Sequence, residues 1–142
     1  MIARKPASRR TAASIIEAVR DRGNDPRDFR DAVHEAAHAL EARVPPPWDR
    51  ERIHTYLVRS CGTRDPVAAL VDSEIRARSA EMHACRRYGI EYAVGHWALA
   101  ACLETLTTMQ ACVPLEIMVR RIQSGARRAE TRRLVDRIEG LR

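Results

Sequence analysis

His34 and His38 lie four residues apart, with Glu35 directly after the first of them. On a helix, side chains four apart project about 40° from one another, so both imidazoles can aim at one point while Glu35 stands to the side. This is the H-E-x-x-H arrangement: two neutral nitrogen ligands for zinc, and a carboxylate able to take a proton from a water that the metal has made acidic. Such a site needs a third protein ligand and leaves a fourth position open for that water. Each ring also needs a partner for its other nitrogen, and Asp31 and Glu41, on the same side of the helix, are the expected groups.

A second oddity lies downstream. At 100° per residue, Val67, Leu70, Val71, Met82 and Cys85 form one apolar stripe, and Asp72, Arg76, Ser79, His83 and Arg87 form the opposite, wet face. Glu74, Arg78 and Glu81 fall inside the apolar stripe, where a carboxylate is costly unless it is paired or coordinates a metal. Two accounts fit the spacing. Arg78, four residues after Glu74 and three before Glu81, neutralises both; or one of them, Glu74 ahead of Glu81, is the third ligand and Arg78 serves the other.

The elements that must position these residues read as helices throughout. A helix is expected over residues 8–22, with Gly23 as its stop. The next runs from Pro26, behind the cap Asp25, to Val44, where three prolines forbid continuation. Its apolar stripe is Phe29, Val33, Ala36, Ala37, Leu40 and Val44, and His34 and His38 lie well off the centre of it, so either they face solvent or another element covers them. A third helix opens at Trp48-Asp49 and runs to about Ser60, with Gly62 ending it. Asp65-Pro66 repeats the cap-plus-proline start for the helix that carries Glu74, which stops at Gly89.

Residues 91–112 are apolar nearly all round and read as the central, most buried helix, with His96, Glu104 and the threonines as its polar interior groups. Residues 114–123 and 126–139 give two more, the last amphipathic and basic. No convincing strand is present. The expected fold is therefore all-α: a bundle of six or seven helices forming a single domain over residues 8–142, behind a flexible basic tail at 1–7.

Of 142 residues, 45% are hydrophobic, few are aromatic, and alanine and leucine are plentiful, which suits closely packed helices. The net charge of +6 is uneven. Residues 1–30 hold 8 basic and 4 acidic side chains, residues 118–142 hold 8 and 3, and the stretch between holds 9 and 12. Arginine-rich ends are suited to contacting nucleic acid or an acidic partner. Cys61, Cys85, Cys102 and Cys112 form no C-x-x-C pair and read as reduced thiols, which together with the lack of a signal peptide points to the cytoplasm. The longest apolar run is too short and too polar to span a bilayer, so no membrane association is expected. His54 and His83 read as surface residues.

Residues 33–40, V-H-E-A-A-H-A-L, resemble the V-H-E-x-[AG]-H-A-[LV] active-site helix of zincin metallopeptidases of the gluzincin type. Residues 74–90 resemble the glutamate helix of the ArdC-like and ImmA/IrrE-like families of bacterial mobile elements. The resemblance covers about thirty residues in two blocks. It implies zinc held by His34, His38 and Glu74, Glu35 as catalytic base, and a specific protein as the substrate. Arg78 stands where many relatives carry a second glutamate. The helical character is also similar to the peptidase domain of membrane-anchored AAA proteases, whose third ligand is an aspartate; on that alignment Asp72 is the alternative ligand, beside Glu81. Most zincins hold substrate along an edge strand, which this sequence lacks.

The function expected first is zinc-dependent peptide-bond hydrolysis, with Arg78, Tyr88, Tyr92 and His96 as the groups available to support the site or stabilise an oxyanion. Two other readings remain: a non-catalytic helical module that binds a partner or nucleic acid through its arginines, and a metal-binding pseudoenzyme in which zinc pins two helices together.

Overall fold

Both Asp-Pro signals act as helix starts in the computed structural model, which describes residues 11–22, 24–61, 65–109 and 113–142. Asp25 accepts hydrogen bonds from the backbone N–H of Arg27 (3.0 Å) and Asp28 (3.3 Å), and Asp65 accepts one from Ala68 (3.0 Å); a proline follows each at the first helical position. The basic tail, Gly23 and Gly62 lie outside the described residues, as do the side chains of Glu104 and the threonines after it.

The described residues form seven helices and no strand: α1 (Ala12–Arg20), α2 (Pro26–Glu41), α3 (Arg50–Cys61), α4 (Pro66–Arg87), α5 (Val94–Met109), α6 (Leu115–Ala126) and α7 (Ala129–Glu139). The all-α bundle expected from the sequence is the observed architecture, and the HExxH helix α2 packs directly against α4. None of these helices is long and apolar enough to cross a membrane.

Helix α2 stops three residues sooner than its prolines require. Arg43 adopts a left-handed conformation (φ 54°), and the Val44 N–H turns back to the Ala39 carbonyl at 2.9 Å. Helix α4 ends in the same way: Gly89 takes φ 67° and the Ile90 N–H bonds the Cys85 carbonyl at 2.8 Å. Both are the 6→1 closure that satisfies the last orphan carbonyls of a helix.

The central element is α4, not α5. It packs against α2, α3, α5, α6 and α7, whereas among the described residues the backbone of α5 lies close to α4 and α6 alone. Leu99 and Leu103 of α5 are 46% and 55% exposed, and His96, expected inside, lies at the surface. A uniformly apolar helix exposes whatever its two neighbours fail to cover. The more polar α4 is buried because its charges find partners within the fold.

Helix α4 divides the interior into two clusters. On one side Ala77, Ala80, Ala84 and Cys85 pack with Ala32, Ala36 and Ala39 of α2 and with Ile15, Phe29 and Ile138; on the other, Val71, Ile75 and Met82 pack with α5 and α6. Alanine on both sides lets α2 and α4 approach closely. Cys85 and Cys102 are buried, and the Cys102 thiol donates to the Val113 carbonyl at 3.4 Å.

The expected wet face of α4 is largely covered. The Ser79 hydroxyl is buried and donates to the Ile75 carbonyl (2.7 Å), and His83 Nδ1 donates to the Ala126 carbonyl (3.0 Å). Asp136 and Glu139 of α7 pair with Arg87, and Arg132, Arg133 and Arg137 are exposed on that helix.

At Gly125 of α6 an added Cβ would collide with the Ser79 side chain, Oγ being the nearest atom. Gly125→Ala is expected to lower stability by about 1–3 kcal/mol in urea denaturation. Adding Ser79→Ala to that variant should restore part of the loss; full stability in Gly125→Ala alone would show that the α4–α6 contact is looser than described.

Candidate metal centre

The Nε2 atoms of His34 and His38 lie 3.0 Å apart, and Oε2 of Glu74 is 3.5 Å from the first and 3.1 Å from the second. Three ligands at 2.0–2.1 Å around a tetrahedral ion stand about 3.3 Å from one another, and the observed edges bracket that value. Among the described residues, His34, His38 and Glu74 form a group that could hold a metal ion. The element that covers the two off-stripe histidines is α4.

The outer nitrogen of each imidazole is engaged, which leaves both Nε2 atoms facing the triangle. His34 Nδ1 is 2.7 Å from Oε2 of Glu81, a fully buried carboxylate. A carboxylate accepts, so Nδ1 carries a proton, and Nε2 is left as the nitrogen a metal would take. On His38, Nδ1 lies 3.1 Å from the Ser73 hydroxyl, which in turn donates to Oε2 of Glu41 at 3.1 Å. With its own hydrogen committed to Glu41, Ser73 accepts from His38 Nδ1–H, and the second Nε2 is freed in the same way. Glu41 is itself fixed by the Arg76 guanidinium, whose Nε donates at 2.8 Å.

The pairs 34 with 81, 38 with 73 and 74, and 41 with 73 and 76 run in opposite senses along the sequence, so α2 and α4 are antiparallel across this seam. Arg78 closes it. Its Nε donates to Oε1 of Glu74 (3.0 Å) and its Nη1 to Oε2 of Glu81 (3.2 Å). The two accounts offered by the spacing therefore coexist: Arg78 neutralises both carboxylates, and Glu74 still turns its other oxygen toward the histidines.

Burial works against an imidazolium at His34, but Glu74 and Glu81 outweigh it and carry the His34 pKa up to about 10. Burial likewise opposes the charged form of Glu74, and the histidines beside it hold its carboxyl well below the ordinary range. Without a metal the seam holds a proton on His34; a divalent ion must displace it.

Glu35 is 8% exposed and lines the same cleft as the histidines and Glu74. The cleft has a volume of about 460 Å³. Its walls include Ile53, His54 and Leu57 from α3, Leu70 from α4 and Trp97 from α5. His54 is exposed, as expected, yet faces this cleft.

Several expected site residues sit elsewhere or act differently. Asp72 is half-buried and pairs with Arg121 across to α6, on the side of α4 turned away from the histidines. Glu81 reaches the outer nitrogen of His34 rather than the ligand triangle. Tyr88, at the end of α4, bonds Glu139 and packs edge-on against Phe29. His96 projects from α5 into a neighbouring recess. Tyr92 stacks on Trp97, and among the described residues its buried hydroxyl has no hydrogen-bond partner; burial, then Glu81, pushes its pKa up. Asp31 lines the cleft and Glu41 acts through Ser73. Sequence reasoning does not single out Ser73, although its place beside Glu74 is the available signal.

Comparison with models of protein families, with curated proteins and with solved structures gives no match to this protein, so the site is read from its geometry.

Two outcomes follow from the seam. Replacing Glu81 by Gln removes the charge that fixes His34 and should weaken divalent-metal binding by about tenfold to a hundredfold in competition against a chromogenic chelator; unchanged affinity would mean that Glu81 does not orient the ring. Metal uptake at pH 7 should release about one proton, measured by calorimetry in buffers of different ionisation enthalpy. Uptake with no proton released would contradict a protonated His34.

Proposed function

We propose that this protein is a zinc-dependent metallopeptidase that hydrolyses a peptide bond in a specific protein. The observation that carries the reading is the triangle of His34 Nε2, His38 Nε2 and Glu74 Oε2, with edges of 3.0, 3.1 and 3.5 Å, in a cleft that Glu35 also lines. Two imidazoles and one carboxylate form the donor set of catalytic zinc sites, and zinc held there supplies the polarisation that brings the pKa of a water from about 15.7 toward 7.

The protein's own groups supply the rest. Glu35 accepts a proton on its carboxylate and later returns it to the leaving amine. Glu81 and the Glu41–Ser73 pair hold the two rings so that neither nitrogen lone pair turns away from the cleft. Arg78 pairs with Glu74 and Glu81 side by side. The apolar side chains of Ile53, Leu57 and Leu70 exclude water from part of the cleft.

A second reading is favoured by one observation: the described residues around the cleft are helical, with no strand to pair with an extended substrate. Under it, zinc serves only to pin α2 to α4. Glu35→Gln separates the two. For a peptidase it should retain about one zinc per molecule and lose hydrolysis of a fluorogenic peptide library by about a hundredfold or more. If the library is left intact by the wild-type, zinc-loaded protein, and chelation lowers only its melting temperature, the pinning role holds and the peptidase is rejected.

A further inference from the structure

Beside the metal cleft lies a second recess, lined by Arg27, Arg30, Asp31, Glu91, His96 and Trp97; it shares Asp31 and Trp97 with the cleft. Arg30 is half-buried and its Nε is fully shielded from solvent, yet among the described residues that atom has no hydrogen-bond partner. Its guanidinium stands over the Trp97 ring at 4.9 Å, and Arg78 approaches the same ring at 5.4 Å. Asp31 and Glu91 line the recess, but among the described residues neither forms an ion pair with Arg27 or Arg30. A partly buried arginine that stacks on an indole and lacks an acid partner presents a planar, weakly hydrated fork suited to a carboxylate.

The placement relates this fork to the metal seam. At 100° per residue, Arg27, Arg30, His34 and His38 fall within a sector of about 80° on α2. Arg30 precedes His34 by about 6 Å along the axis and Arg27 by about 10 Å. An extended peptide covers about 3.3 Å per residue, so a peptide lying from the metal toward the start of α2 reaches the fork within about two to three residues.

We propose that Arg30, backed by Trp97 and assisted by Arg27, is a carboxylate-recognition site. It selects substrates that carry an acidic side chain or a free C-terminal carboxylate about two to three residues from the bond held at the metal. The substrate assignment rests on the peptidase reading, but binding of the carboxylate does not. Asp31 and Glu91 balance the two arginines across the recess, so the site favours a single compact carboxylate over a polyanion.

The test uses the full-length protein with Glu35→Gln, so that nothing is turned over, and alanine-glycine heptapeptides read by calorimetry and by the fluorescence of Trp97. One pair differs only in a free or amidated C-terminus; the other pair is amidated and differs only in Glu or Gln at the third position. The member bearing a carboxylate in one of the two pairs should bind at least tenfold tighter, and which pair does so names the source. Arg30→Met should abolish that preference and Arg30→Lys should reduce it at least threefold, while Arg133→Gln on α7 leaves it unchanged. If Arg30→Met fails to melt cooperatively, Arg30→Lys alone decides. No tenfold preference in either pair, or a preference that survives both changes at Arg30, overturns the proposal. Zinc content of the same samples keeps the two readings apart: carboxylate preference without zinc removes the peptidase and keeps this site, and one zinc per molecule with no preference does the reverse.

Discussion

Arg78 lies 6% exposed between two carboxylates that are themselves turned toward two imidazoles, and this is the constraint on which the arrangement depends. Two ionised acids in an alanine-lined seam repel one another and lose their hydration; without a cation between them one would take up a proton or leave. Arg78 pairs with both, and each serves a different histidine atom. Glu74 faces the ligand nitrogens, and Glu81 faces the outer nitrogen of His34. One guanidinium thereby lets a ligand and an orienting acid occupy successive turns of one helix.

The same seam explains why α4 is the centre of the fold. By hydropathy, a helix of 22 residues with charges on its buried side makes a poor axis, yet five other helices pack on it. Its charges need partners more than its apolar groups need covering, and they find them in α2, α6 and α7 as well as in one another. Small residues in both helices allow the approach, and the polar side chains fix the register: a slip of one turn would leave Glu81 buried without His34.

Much of this was legible in the residues, and the gaps have physical causes. The helical class, the Asp-Pro starts, the closure at Gly89 and the anomaly of Glu74, Arg78 and Glu81 all follow from local chemistry, and the observed helices use them. Periodicity did not say which helix is central, because it measures how apolar a helix is and not how many neighbours it has; α5 and His96 were misplaced for that reason. The wet face given to Ser79 and His83 is covered by α6, a contact between distant parts of the sequence. Ser73 escaped notice because its role exists only once Glu41 and His38 meet it from α2. Tyr88 lies at the end of α4, where its direction is set by α7.

The division of the interior by α4 has a consequence for how such a protein changes over generations. The histidine–carboxylate seam, together with Ile53 and Leu57 of one cleft wall, belongs to the cluster shared by α1, α2, α3 and α7, while Trp97 and Ala100 of the facing wall ride on α5, whose buried residues belong to the other cluster. Substitutions in the α5–α6 layer would reshape that wall and reach the seam chiefly through Trp97, which Arg78 approaches at 5.4 Å. The shape of the cleft and the seam at its floor are thus set largely by different layers of the fold.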